Sequence, residues 1–226
     1  MLSAKSSTLP QLYHVASIFE ATIKSIFFGL DSSNLDDLSQ CSDVITGLAL
    51  SWDYVHNFDF LKPSSPFYFS RLRILDFGYD DDVTLSKLLA VLEALKVNPT
   101  ITSINLSGAF IGDEGAVALA TMLKVNSTIS SVDLSSNSIG DEGAVALATM
   151  LKNNSTISSV DLSSNSIGDE GVISLSETLK VNSTISTIYL SAESVNSDTR
   201  HRMIETPTGR ITLCVGWRQL PVADTE

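Results

Sequence analysis

Two periodicities alternate along the middle of this chain. In "SSVDLS", Val132 and Leu134 alternate with Ser131, Asp133 and Ser135, the period-2 pattern of a short strand with one buried face. A few residues later the period changes. Ala144, Leu147, Ala148 and Leu151 fall at i, i+3, i+4 and i+7, one stripe of a helix whose small members permit close approach to a sheet. The pattern predicts Asp141 as helix N-cap, with Glu142 at the positive end of the helix dipole and Lys152 at the negative end.

This strand-then-helix unit recurs every 28 residues. "TITSINLSGAFIGDEGAVALATMLKVNS" begins at Thr100, near-copies begin at Thr128 and Thr156, and "TISTIYLSAESVNSDTR" from Thr184 soon departs from the pattern. Upstream, "RLRILDFGYDDDVTLSKLLAVLEALKVNP" from Arg71 is a degenerate copy, one residue longer, with Leu72, Leu75 and Phe77 in the places of Ile101, Ile104 and Leu106. A fixed period of this size means a solenoid. Strands and helices joined by right-handed crossovers coil into an α/β horseshoe with parallel inner strands and outer helices.

The text "ISSVDLSSNSIGDEGAVALATMLKNN" resembles the ribonuclease-inhibitor type of leucine-rich repeat, in its short uniform form, found also in the Ran GTPase-activating protein and the repeat domains of NOD-like receptors. The resemblance covers residues 71–198. It implies that Asn137 and Asn165 turn inward and hydrogen-bond the backbone of neighbouring turns. Ala109 in the first full copy and Asp81 in the degenerate one interrupt that ladder.

The flanks read as lids for the open ends of the stack. Residues 1–70 are expected to form an N-terminal helical cap: Leu12, Val15, Ala16, Phe19, Ile23, Ile26, Phe27 and Leu30 share one apolar helical face, and Leu35, Leu38, Cys41, Ile45 and Leu48 form a second. "FLKPSSPFYF" then leads into the array at 71–198. In the segment 199–226, "GRITLCVGW" alternates Ile211, Leu213 and Val215, a closing strand.

Composition narrows the function. With 43% hydrophobic residues in 226, the chain buries a substantial core and is not disordered. His14, Glu20 and Lys24 interrupt the early apolar stretch, which excludes a membrane span or a signal-peptide core there. Cys41 and Cys214 stand in unlike contexts with no metal-ligand spacing, the usage of reduced thiols in a cytoplasmic chain. A net charge of −12 argues against nucleic acid and for a basic partner.

No catalytic motif is present: no phosphate-binding GxxxxGK[ST], no GxGxxG after a strand, no HExxH and no GxSxG. His14, His56 and His201 stand apart from acidic or nucleophilic clusters. Asp113, Asp141 and Asp169 stack in a column that helix capping explains without an ion. The run Asp80 to Asp82 lacks the ligand spacing of a calcium loop. The triplets at Asn126, Asn154 and Asn182 match glycosylation acceptors but recur because the repeat recurs. No enzyme, cofactor or metal site is expected.

Repetition leaves a surface. If Val132 and Leu134 face the core, Asp133 faces the concave side, as do Asp76, Asn105, Asp161 and Tyr189 in the other copies. Neighbouring carboxylates at about 5 Å repel by under about 1 kcal/mol in water, a strain that a partner's Lys or Arg relieves. The expectation is a monomeric, non-enzymatic module whose acidic, serine-rich inner face binds a basic protein surface. Arg200, Arg202, Arg210 and Arg218 form an alternative patch of opposite charge. Regulation of a small GTPase and a microbial effector secreted into a host cytosol are the alternative functions.

Overall fold

The computed structural model describes residues 2–3, 26–28, 46–50, 58–65, 68–78, 83–191, 195–199, 211–215 and 218–219. The strands are β1 (Leu2–Ser3), β2 (Ile26–Phe28), β3 (Gly47–Leu50), β4 (Ile74–Asp76), β5 (Ser103–Asn105), β6 (Ser131–Asp133), β7 (Ser159–Leu162), β8 (Thr187–Ser191), β9 (Ile211–Val215) and β10 (Arg218–Gln219). Between them lie the helices α1 (Leu85–Lys96), α2 (Gly112–Leu123), α3 (Asp141–Leu151) and α4 (Asp169–Val181). All ten strands form one sheet in chain order. Neighbours from β1 to β9 run parallel, and β10 turns back antiparallel on β9. A parallel sheet with a helix after each repeat strand is the α/β solenoid that the 28-residue period predicts.

Register explains why the sheet has a wet and a dry face. Leu48, Leu75, Ile104, Val132, Val160 and Ile188 are successive register partners, each at most 3% exposed. Beside them Phe77, Leu106, Leu134, Leu162 and Leu190 form a second buried column. The helices return Leu88, Leu119, Leu147 and Leu175 to the same core. Each fully buried aliphatic side chain is worth about 1.5–3 kcal/mol against exposure. At the N-terminal side the core is aromatic: Phe58, Phe60, Phe69 and Phe77 are buried, with ring centroids 5.9–6.3 Å apart. The "FLKPSSPFYF" connection is therefore itself a core element, entered through a 3-10 turn at Asp59–Leu61.

Two expectations are corrected. Ile26, Phe27 and Leu48, read as members of apolar helix faces, lie in strands, so pairing continues upstream of residue 71. Short continuous apolar runs such as "IFF" and "LAL" carry no period to tell strand from helix, and the open edge of β4 supplies the pairing that decides them. The other residues of the two expected helical faces lie outside the described residues. The closing strand at Ile211, Leu213 and Val215 is present as β9.

The second correction concerns the acidic column. Asp141 is not an N-cap: α3 begins at Asp141 itself, Gly140 holds the cap position in extended conformation, and no side chain caps α3 from its own copy. The cap arrives from the preceding copy. Asp113 Oδ1 accepts from the backbone N–H of Gly140 (2.8 Å) and Gly143 (2.9 Å). Asp141 repeats this on Gly168 (2.8 Å) and Gly171 (2.9 Å), and Asp169 accepts from Asn196 N at 3.0 Å. Asp113 and Asp141 thus serve the orphan donors and positive dipole end of the next helix. Gly143 and Gly171 make room for them. A Cβ on Gly171 would lie 2.8 Å from Asp141 Oδ1 and 2.8 Å from Ala144 Cβ, and one on Gly143 2.7 Å from Asp113 Oδ1 and 2.9 Å from Ala116 Cβ.

Two asparagine ladders bind the turns. Asn137, fully buried, donates to Leu106 O at 2.7 Å, and Asn165 donates to Leu134 O at 2.8 Å while accepting from the N–H of Asn137 and Ile139. This is the inward ladder the resemblance implies, with buried Ala109 where its next rung would stand. Its bonds hold a left-handed backbone at Ser136, Ser138 and Ser164, with φ of 55–58°, a conformation costly to residues other than glycine. A second ladder closes the helix-to-strand turns. Asn98, Asn126, Asn154 and Asn182 donate to Leu61 O, Leu95 O, Leu123 O and Leu151 O.

Candidate functional site

The face of the sheet opposite the helices is built by alternation. Because Val132 and Val160 point into the core, Ser131, Asp133, Ser159 and Asp161 point away from it and are half-buried among their neighbours. Register aligns Asp76, Asn105, Asp133, Asp161 and Tyr189 as consecutive partners. Ala49 precedes them and Thr212 follows. The five residues singled out from sequence therefore occupy one column, with neighbours about 4.8 Å apart across the strands.

These side chains also hold the backbone. Oδ1 of Asp76, Asn105, Asp133 and Asp161 each accepts from the N–H two residues on, at Gly78, Ser107, Ser135 and Ser163, at 2.8–2.9 Å. Such side-chain turns end each strand. Ser135 Oγ donates to the same oxygen of Asp133 at 2.7 Å. One carboxylate oxygen is thus committed to the fold, which fixes the direction of the other. Among the described residues no cation pairs with Asp76, Asp133 or Asp161; the ion pairs there are Lys96 with Glu93 and Lys180 with Glu177, both within helices.

The parallel column two residues earlier carries Ile74, Ser103, Ser131, Ser159 and Thr187. Ile74 is 45% exposed, an apolar contact in a column that is otherwise polar. Ile74 on β4 and Tyr189 on β8 bracket the carboxylates at a separation of four strand spacings, about 19 Å. At the outer rim, Ser130, Ser158 and Ser186 donate their hydroxyls to the carbonyls of Thr102, Ser130 and Ser158, so those serines serve the stack.

The alternative arginine patch is not assembled by the described residues: Arg200, Arg202 and Arg210 lie outside them, and of Arg218 only the strand backbone is described. Asp80 to Asp82 and the three histidines also lie outside. Among the described residues no cluster of His, Cys, Asp or Glu could hold a metal ion, and no helix is long and apolar enough to cross a membrane. In two of the glycosylation triplets the asparagine is internal. Asn126 and Asn182 are 5% and 6% exposed, and the Nδ2 atom a glycan would join is the one donating to Leu95 O and Leu151 O.

Comparison with known proteins agrees with this architecture. The leucine-rich-repeat family model matches residues 97–120, 125–148 and 153–176. No curated protein sequence matches significantly. Among solved structures, the chain is similar to leiomodin-1 actin-binding site 2, with 26% identity, TM-score 0.51, and coverage of 57% of this chain and 75% of that one. It also shares its fold with the tropomodulin C-terminal domain from Caenorhabditis elegans, at 15% identity and TM-score 0.56, covering 66% of this chain and 87% of that one. The 28-residue units, the parallel sheet with its repeat helices and the family match within residues 97–176 together show a leucine-rich-repeat fold.

Proposed function

We propose that the chain is a non-enzymatic, monomeric binding module of the ribonuclease-inhibitor repeat type, which takes a Lys- or Arg-rich protein surface on its helix-free sheet face. The observation that carries this reading is the in-register column Asp76, Asn105, Asp133, Asp161 and Tyr189. Its carboxylates are oriented by the turns they close and are not neutralised by any described cation. A guanidinium or ammonium from outside meets two preset acceptors at Asp133 and Asp161, while Ile74 and Tyr189 supply apolar contact at either end. A cytoplasmic location goes with this reading.

The test uses Asp133→Asn with Asp161→Asn. Asparagine already stands in the column at Asn105, where its Oδ1 accepts from Ser107 N at 2.8 Å, so the exchange keeps the turns and removes only charge. Titration with a Lys/Arg-rich peptide should show about five- to thirtyfold weaker binding by the double variant at low salt, from about 0.5–1 kcal/mol per exposed pair. The difference should shrink as salt screens both proteins. Equal affinities at low salt would remove the column from the account.

A second reading rests on the similarity to leiomodin-1 actin-binding site 2, which is 26% identical: the partner is actin. Co-sedimentation with filamentous actin, together with a monomer-binding titration, separates it from the first. Actin binding unaffected by the double variant would place the contact elsewhere on the chain.

A further inference from the structure

Three independent features change at one junction, between the copies starting at Arg71 and Thr100. The asparagine rung is missing there, because Ala109, fully buried, has no amide to reach the preceding copy as Asn137 reaches Leu106 O. Among the described residues the carboxylate cap is missing too: Leu85, 42% exposed, stands 28 residues before Asp113, and Gly112 N and Gly115 N, the counterparts of the capped Gly140 and Gly143, donate to Asn137 O and Ile111 O. The helix packing is looser. Leu88 replaces the alanine that lets Gly143 and Gly171 approach Ala116 and Ala144, so a Cβ on Gly115 would face Leu88 Cδ2 at 3.0 Å instead, and α1 packs less extensively on α2 than α2 does on α3.

α1 instead carries a cap from its own copy, since Thr84 Oγ1 accepts from Lys87 N at 3.3 Å. Bonds that span the junction among the described residues include the β4–β5 pairing, Asn126 Nδ2 to Leu95 O at 2.8 Å, Thr128 Oγ1 to Asn98 O at 3.1 Å, Tyr68 Oη to Thr100 Oγ1 at 3.2 Å and Thr102 Oγ1 to Arg73 O at 3.3 Å. The first two have counterparts at the junction between the copies starting at Thr100 and Thr128, so they do not compensate for the missing rung and cap.

We infer that the array carries a built-in seam between α1 and α2, at which the part up to α1 separates while β5 to β8 and α2 to α4 remain folded. Solenoid stability is a sum over neighbouring interfaces, so opening begins where an interface is weakest. Opening there bares the backbone edge of β5.

Hydrogen exchange of the full-length chain, read by mass spectrometry, tests the seam. Amides of β4 and α1 should exchange at least about tenfold faster than those of α2 and α3, with a step at the junction and no gradual slope along the array. Leu85→Asp, which restores a carboxylate in the place Asp113 holds one copy later, should narrow that step. Asp113→Ala should create a second step between α2 and α3. Protection that is level across the junction, or a step that neither variant moves, would overturn the inference.

Discussion

Replacing Asp141 with alanine removes the acceptor for two backbone donors of the next copy, Gly168 N at 2.8 Å and Gly171 N at 2.9 Å. Loss of a capping side chain costs about 0.5–2 kcal/mol, and the lost charge at the N-terminus of α4 adds about 0.3–1 kcal/mol. Alanine returns a few tenths through its helix propensity in α3. The net expectation is destabilisation by about 2 kcal/mol, a fall of about 4–8 °C in Tm for a chain of this size. Urea and thermal melts followed by far-UV circular dichroism give both numbers. Asp141→Asn, which keeps an oxygen for the two N–H groups, should cost about half as much. The control is Glu142→Ala, an exposed first-turn acid of the same helix with no reach to the next copy, for which only the dipole share of about 0.3–1 kcal/mol is expected. If Asp141→Ala cost no more than Glu142→Ala, the carboxylate would be acting on its own helix, and the inter-copy cap would be wrong.

Leu134→Ala should cost about 2–5 kcal/mol in urea melts, because Leu134 is fully buried between layers and truncation leaves a cavity; a loss under about 1 kcal/mol would refute the strand register. Gly143→Ala should destabilise the chain although alanine favours helix by about 1 kcal/mol, since its Cβ would meet Asp113 Oδ1 at 2.7 Å, and a stabilised variant in thermal melts would contradict that close approach. When the chain is expressed through a secretory route, Asn126 and Asn182 should stay unmodified, so glycosidase treatment should leave their peptide masses unchanged; occupancy at either site on folded protein would mean that the amide is not inside the stack.

Much of this was legible in the sequence because repetition turns a weak local signal into a strong one. The alternation at Val132 and Leu134 and the stripe at Ala144, Leu147, Ala148 and Leu151 recur in phase, so the strands, helices and column from Asp76 to Tyr189 could all be placed in register. What the text did not reveal was partnership. Asp141 reads equally well as a cap for its own helix or for the next, since both donors lie at a helix start, and only the lateral offset of adjacent copies decides. The triplets at Asn126 and Asn182 match a modification signal and carry no sign of burial, which follows from the turn that each asparagine closes. Ile26, Phe27 and Leu48 lacked a period long enough to identify a strand, and the aromatic core at Phe58, Phe60 and Phe69 was hidden by the proline- and serine-containing stretch between its members.

The central claim is that the helix-free face, at Asp133 and Asp161, is where a basic partner binds. The competing acidic surface is the row of exposed Glu114, Glu142 and Glu170 at the helix starts. Mapping backbone amide shifts of the full chain during titration with a Lys/Arg-rich peptide separates the two directly. The account predicts that the largest shifts gather on β6 and β7 and their neighbours from Asp76 to Tyr189, and weaken as salt rises toward a Debye length of about 8 Å. Shifts centred on the first turns of α2, α3 and α4, or spread evenly over both faces, would contradict it.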